Sequence, residues 1–162
     1  ALSSAASDVY KRQIEGVAQR RDMYMREGCC KTYSEEEGPQ RWHKVVLIVP
    51  PEQIPTVRAY VEAQNPQGFY PVQSDAFYLE LVPDGISKGR GMKMIEAALH
   101  LTKTAAIGDR ENDKSMLDIA DFSAVPKSGD PVLQKEVDFV VDSCDNGAVA
   151  DFISRLEKIC TK

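Results

Sequence analysis

From Gly85 onward the chain keeps alternating a short apolar stretch, a turn and a helix-compatible segment, and this alternation restricts the fold more than any other feature. Gly91–Leu101 carries Met92, Ile95 and Leu99 at i, i+3 and i+7, the spacing of a one-faced helix. A strand over Thr104–Ile107 follows, then a helix over Asp113–Ala120 and a strand over Phe122–Val125. Asp130 and Pro131 make a helix start of the N-cap and N1 kind, and Phe139–Val141 reads as another strand. Asp145 is the expected N-cap of a last helix whose apolar face holds Val149, Phe152, Ile153, Leu156, Ile159 and Cys160. Short strands separated by helices predict an α/β fold: a doubly wound, Rossmann-like parallel sheet covered on both faces.

The first half has a different rhythm. Ile14–Glu27 is helix-compatible and stops at Gly28, and Thr32–Gln40 is polar and acidic with Gly38-Pro39, a loop. Lys44–Val49 reads as a strand closed by Pro50-Pro51, which can neither donate to a ladder nor continue one. Glu52–Ala63 is a helix on Ile54, Val57 and Val61, and Phe69–Val72 with Ala76–Val82 form a hairpin around Gln73-Ser74-Asp75. This part is α+β with antiparallel character. Residues 1–13 read as a non-native or disordered N-terminus, and the absence of an initiator Met is read as the sign of a piece of something longer.

Composition removes several classes of function. Apolar residues make up 43% and charged residues 28%, the balance of a globular chain rather than a disordered one. The net charge is −5 with no block of Lys or Arg, which argues against nucleic acid and anionic membrane surfaces as partners. No apolar run approaches the length of a membrane span. The cysteines Cys29, Cys30, Cys144 and Cys160 show no CxxC spacing, which fits free thiols in a reducing cytoplasm. Trp42-His43 and the Cys29-Cys30 pair have no constellation of ligands around them and read as structural.

The chemistry concentrates in Ala105-Ala106-Ile107-Gly108-Asp109-Arg110-Glu111-Asn112-Asp113. An apolar strand ends in Gly108, and two aspartates, Asp109 and Asp113, follow four residues apart at the carboxyl end of a parallel strand, where ligands of open α/β sheets bind. Hard carboxylate oxygens suit Mg²⁺, which takes one or two of them along with water and phosphate oxygens. The competing account is a solvated turn in which Asp113 caps the next helix. Upstream, Gly85-Ile86-Ser87-Lys88-Gly89 offers an ammonium beside the first turn of a helix, a combination suited to a phosphate.

Together, YLELVPDGISKGRGMKMIEAALHL, IGDRENDKSML and the closing AVADFISRL helix resemble the haloacid dehalogenase (HAD) phosphatase superfamily, and within it the Cof-type sugar-phosphate phosphatases. The resemblance runs from about Val45 to Leu156. It implies that residues 14–82 are an α+β cap domain and residues 83–162 the C-terminal part of the HAD-like α/β core. It implies that Lys88 is the catalytic lysine steadying the phosphoryl group, that Asp109 is the Mg²⁺ ligand, and that Asp113 supports the metal's water shell. Asn112 falls on the amide that helps hold the phosphate. The cofactor implied is Mg²⁺ and the partner a small phosphorylated metabolite.

Two departures from the family pattern stand out. The family's nucleophile lies in a DxDGT strand, and no DxD string occurs in these 162 residues, so no nucleophile is assigned and the chain alone is expected to be inactive. Val140-Val141-Asp142-Ser143-Cys144-Asp145-Asn146-Gly147 imitates that motif with the wrong spacing and in the wrong place. Pro126-Lys127-Ser128 stands where relatives carry Gly-Asn, which removes a backbone role from that loop. A core without its leading strands is expected to leave a sheet edge and apolar surface uncovered. The alternatives are a phosphoacceptor signalling domain, whose acidic residues would precede rather than follow the lysine, and a non-catalytic HAD-like binding or scaffold protein.

Overall fold

The computed structural model describes residues 44–64 and 67–160. The expected helix over 14–27, the loop over 32–40, residues 1–13, Trp42, His43 and the Cys29-Cys30 pair lie outside the described residues. The chain divides into two units. The first takes residues up to Pro71 together with Asp75–Pro83, and the second takes Val72–Ser74 and everything from Asp84.

In the first unit, β1 (Val45–Ile48) leads through the 3₁₀ turn Pro51–Gln53 into helix α1 (Ile54–Ala63), followed by β2 (Phe69–Asp75) and β3 (Tyr78–Pro83). The sheet order is β1-β3-β2, with β1 antiparallel to β3 in the register Val45 opposite Leu81 and Leu47 opposite Leu79. Buried Val49, Ile54 and Leu79 form its core, with Leu47 and Val57 packed on them. The hairpin turn falls at Ala76-Phe77, later than the sequence spacing predicts. Asp75 is the last residue of its strand because its Oδ1 accepts the Phe77 N–H at 3.0 Å, a side chain mimicking a backbone turn.

The second unit runs α2 (Lys88–Leu99), β4 (Ala105–Ile107), a 3₁₀ turn (Glu111–Asp113), α3 (Lys114–Leu117), β5 (Phe122–Pro126), a 3₁₀ turn (Leu133–Lys135), β6 (Phe139–Val141), a 3₁₀ turn (Cys144–Asn146) and α4 (Ala148–Cys160). β4, β5 and β6 are parallel in that order. Successive side chains leave a strand on opposite faces, and two cores result. Ala106 and Val125 pack with Leu117 and Leu133 on one face; Ala124 and Val141 pack with Ala148 and Phe152 on the other. The fold is the α/β arrangement read from the alternation, a parallel sheet covered on both faces.

Local details depart from the sequence reading for identifiable reasons. α2 starts at Lys88 rather than Gly91, because Ser87 is its N-cap and accepts the Arg90 N–H on its hydroxyl at 3.1 Å. The helix expected from Pro131 is a single 3₁₀ turn. Asp130 is not its N-cap, a place Val132 takes; Asp130 instead accepts the Val132 N–H at 2.7 Å, Glu136 N–H closes on Leu133 C=O, and Asp138 is held by Ser123. No length remains for an α-helix. Asp145 is not the N-cap of the last helix: it lies inside the 3₁₀ turn, and α4 begins after Gly147, whose φ of +82° the turn requires. Of the expected apolar face of α2, Met92 reaches the core, while Ile95 and Leu99 are 56% and 64% exposed. Among the described residues, β4 pairs only with β5 and its other edge is open.

Candidate active site

Gly108 closes β4 at the carboxyl end of the sheet, its N–H bonded to Ala124 C=O at 3.1 Å. A side chain there is excluded, since a Cβ would stand 2.4 Å from the Asp113 Cβ and 2.9 Å from its Oδ2. The 3₁₀ turn Glu111–Asp113 then folds Asp113 back under the strand end, where its side chain is only 5% exposed. Asp113 Oδ2 accepts the N–H groups of Asp109 at 3.0 Å and Arg110 at 3.3 Å. Its Oδ1 receives the Lys88 ammonium, which remains half exposed. Both Asp113 oxygens are thus engaged, and a buried carboxylate with this many donors is fixed in one place.

Asp109 is held differently. Its backbone is gripped on both sides: its N–H by Asp113 and its C=O by the Asp130 N–H at 2.9 Å. Gly129 lies so close that a Cβ would come within 3.2 Å of the Asp109 Cα. The side chain is left outward and 49% exposed, with Arg110 Nε 3.8 Å from Oδ2. The Asn112 Oδ1 is buried and has no hydrogen-bond partner in the structure. Burying such an acceptor unpaired is costly, and an exception of this kind calls for an explanation such as an ion or water.

The four residues singled out from sequence therefore lie on two segments that the fold brings together. Lys88 opens α2; Asp109, Asn112 and Asp113 make the turn after β4. Their carboxylates do not have equal roles. Asp109 is available as a single hard oxygen ligand, whereas Asp113 is fully occupied and fits an indirect, positioning role rather than direct ligation. No group of three or more His, Cys, Asp or Glu poised for a metal exists among the described residues. Asp109 still fits Mg²⁺, an ion that takes as few as one protein carboxylate and fills the rest of its octahedron with water and substrate oxygens.

Sequence reasoning missed the supports of these residues. Gln134 Nε2 donates to the C=O groups of Pro126, Lys127 and Gly129, at 3.0 to 3.2 Å, and fastens the turn whose Gly129 and Asp130 brace Asp109. Gly89 N–H donates to Ser115 Oγ at 3.1 Å across the α2–α3 crossing. A lone Gln in a 3₁₀ turn or a lone Ser on a helix carries no sequence signal for such work; only a spatial neighbour reveals it.

A family model described as haloacid dehalogenase-like hydrolase matches residues 4–153. A protein of Streptococcus pyogenes serotype M6 with a provisional phosphatase name is 36% identical over 98 residues, 57% of this chain and 36% of that protein. Among solved structures, a haloacid dehalogenase-like hydrolase from Bacteroides thetaiotaomicron is similar with a TM-score of 0.67 at 20% identity, covering 90% of this chain and 56% of that one. A structure described as a HAD subclass IIB sugar phosphatase gives a TM-score of 0.63 at 16% identity, covering 76% and 46%. At such identities the two structures speak for the fold alone. The chain spans roughly a third to just over half of the length of these relatives. Among the described residues, no helix is long and apolar enough to cross a membrane.

Proposed function

The chain belongs to the haloacid dehalogenase-like hydrolase family, and from that premise we propose that it carries the lysine and metal half of a Mg²⁺-dependent phosphomonoester hydrolase acting on a sugar phosphate or similar small metabolite. The observation that carries this reading is the meeting of Lys88 with buried Asp113 beside the outward carboxylate of Asp109. Lys88 would neutralise developing charge on the phosphoryl oxygens, held in place by its ion pair. Asp109 would hold Mg²⁺, which when bound supplies charge stabilisation to the same oxygens. Asn112, with its side-chain oxygen buried and unpaired, would turn its amide toward the phosphate. Asp113 would keep both neighbours aligned without touching the substrate.

The reaction class is transfer through an aspartyl-phosphate, and no residue of this sequence takes the nucleophile's part, since no DxD string is present. The 162 residues alone are therefore inactive on this reading. On the same reading residues 14–82 belong to the cap domain and residues 83–162 to the C-terminal part of the core. A cytoplasmic setting accompanies this reading, supported by four cysteines without CxxC spacing. The experiment is a Mn²⁺ titration followed by NMR on the purified chain. Amide signals of Gly108 and Asp109 broaden first, and Asp109→Asn removes the effect. Broadening centred on Asp142 and Asp145 instead would overturn the assignment. Turnover of p-nitrophenyl phosphate by the 162-residue chain with Mg²⁺ would overturn the inactivity.

A further inference from the structure

We propose that Ser115 is a positioning residue for Lys88, a cap for α2 supplied by another helix; the inference rests on the role given to Lys88 above. The first turn of any helix has N–H groups without intrahelical acceptors. In α2, Ser87 Oγ takes the Arg90 N–H, two residues beyond Lys88. The Gly89 N–H, next to Lys88, is out of reach of that hydroxyl's work and is taken by Ser115 Oγ at 3.1 Å. Gly89 is buried. Without Ser115 its donor has no ready access to water, and the turn that carries Lys88 must move to satisfy it.

The crossing is tight enough to transmit that movement. A Cβ on Gly89 would stand 2.2 Å from the Ser115 C=O oxygen and 2.7 Å from its carbon, so the two backbones touch with no side chain between them. The joint also lies between the members of one ion pair: Gly89 follows Lys88, and Ser115 stands two residues after Asp113. One hydroxyl thus fixes the helix start that carries the ammonium against the helix that continues from its carboxylate. Ser115 touches neither Lys88's ammonium nor any reacting group, and acts through the Gly89 amide.

The test is pulse labelling of the full chain with acetic anhydride, read site by site by mass spectrometry. In the parent chain Lys88, engaged by Asp113, labels more slowly than the exposed Lys93 and Lys135. Ser115→Ala raises Lys88 labelling by roughly three- to tenfold relative to those two, the range that loss of one hydrogen bond allows. Ser115→Thr, which keeps the hydroxyl, restores the parent value. Unchanged Lys88 labelling in Ser115→Ala, or a Thr variant that behaves like Ala, overturns the proposal. So does a uniform rise that includes Lys114 and Lys127, because the hydroxyl then holds the fold rather than the lysine. A parent chain in which Lys88 is as reactive as Lys93 overturns it as well. Asp109→Asn, which removes the metal response, leaves the labelling pattern intact, so the two readings fail separately.

Discussion

After β4 the chain places Gly108, Asp109, Glu111 and Asp113; after β6 it places Asp142, Asp145 and Gly147, in each case an apolar strand followed by a glycine and aspartates a few residues apart. The first turn gathers partners inward. Asp113 is buried, takes two backbone N–H groups and a lysine from another helix, and leaves Asp109 outward. The second turn spreads its charges over the surface. Asp142 meets Lys127 at 2.9 Å with both side chains about half exposed or more, and Asp145 lies exposed in its 3₁₀ turn. The Asp142 N–H goes to Asp151, itself paired with Arg155 in two bonds of 3.0 Å. Water and salt screen such pairs, whereas a buried carboxylate with fixed donors keeps its field. What separates the two pairs of aspartates is convergence from elsewhere in the chain.

The contrast breaks most plainly at the buried carboxylate. Asp113→Ala leaves two N–H groups without an acceptor and frees Lys88, and should lower stability by about 2–3 kcal/mol in urea unfolding. Asp145→Ala should stay within about 0.5 kcal/mol, as surface changes do. Equal losses would show that the two turns are energetically alike. The glycines give the next test. Gly108→Ala puts a Cβ against Asp113 and should cost about 1–3 kcal/mol. At Gly147 an added Cβ meets only the Ala150 Cβ, at 3.9 Å, so the penalty is the left-handed backbone alone, about 1–2 kcal/mol. The order Gly108 above Gly147 is the result that sharpens the comparison.

Much of this was legible in the sequence, because it rests on local pattern. The parallel sheet followed from short apolar runs between helices, and the pairing of Lys88 with the turn after β4 from a family resemblance. The hairpin turn and the segment after Pro131 were misplaced for a common reason: Asp75 and Asp138 spend their carboxylates on backbone or buried partners that periodicity cannot register. Ile95 and Leu99 kept helical spacing yet stand exposed, since spacing shows which residues share a face but does not say what covers it. The division of labour between Asp109 and Asp113 was equally hidden, for it depends on which oxygens are already engaged.

A smaller effect isolates that division. Asp109→Asn changes no backbone contact, because the residue is held by its N–H and C=O, so stability should move by less than about 0.5 kcal/mol. The Mn²⁺ response at Gly108 should nevertheless vanish. A variant that loses both stability and metal response would mean that Asp109, like Asp113, is part of the packing, and the distinction between the two carboxylates would fall.

The smallest effect concerns protons at the other turn. Hydrogen bonds from Arg155 first, then from the Asp142 N–H, hold the Asp151 carboxyl below its ordinary value, and Lys127 adds to this. The folded value lies below the unfolded one, near 3.9. The contribution is therefore complete above that value, shrinks as acid protonates the unfolded chain first, and is gone once the pH passes below the folded value. Carbon-13 NMR of the Asp151 carboxyl should show a midpoint below the ordinary range, and Arg155→Ala should raise it. Because the Arg155 partner is exposed and Lys127 acts from a distance, 1 M salt should also move it part of the way back, the Debye length there being about 3 Å. A midpoint that ignores salt would mean that the network after β6 is shielded from solvent, as the Asp113 cluster is, and the two turns would no longer differ in the property that separates them.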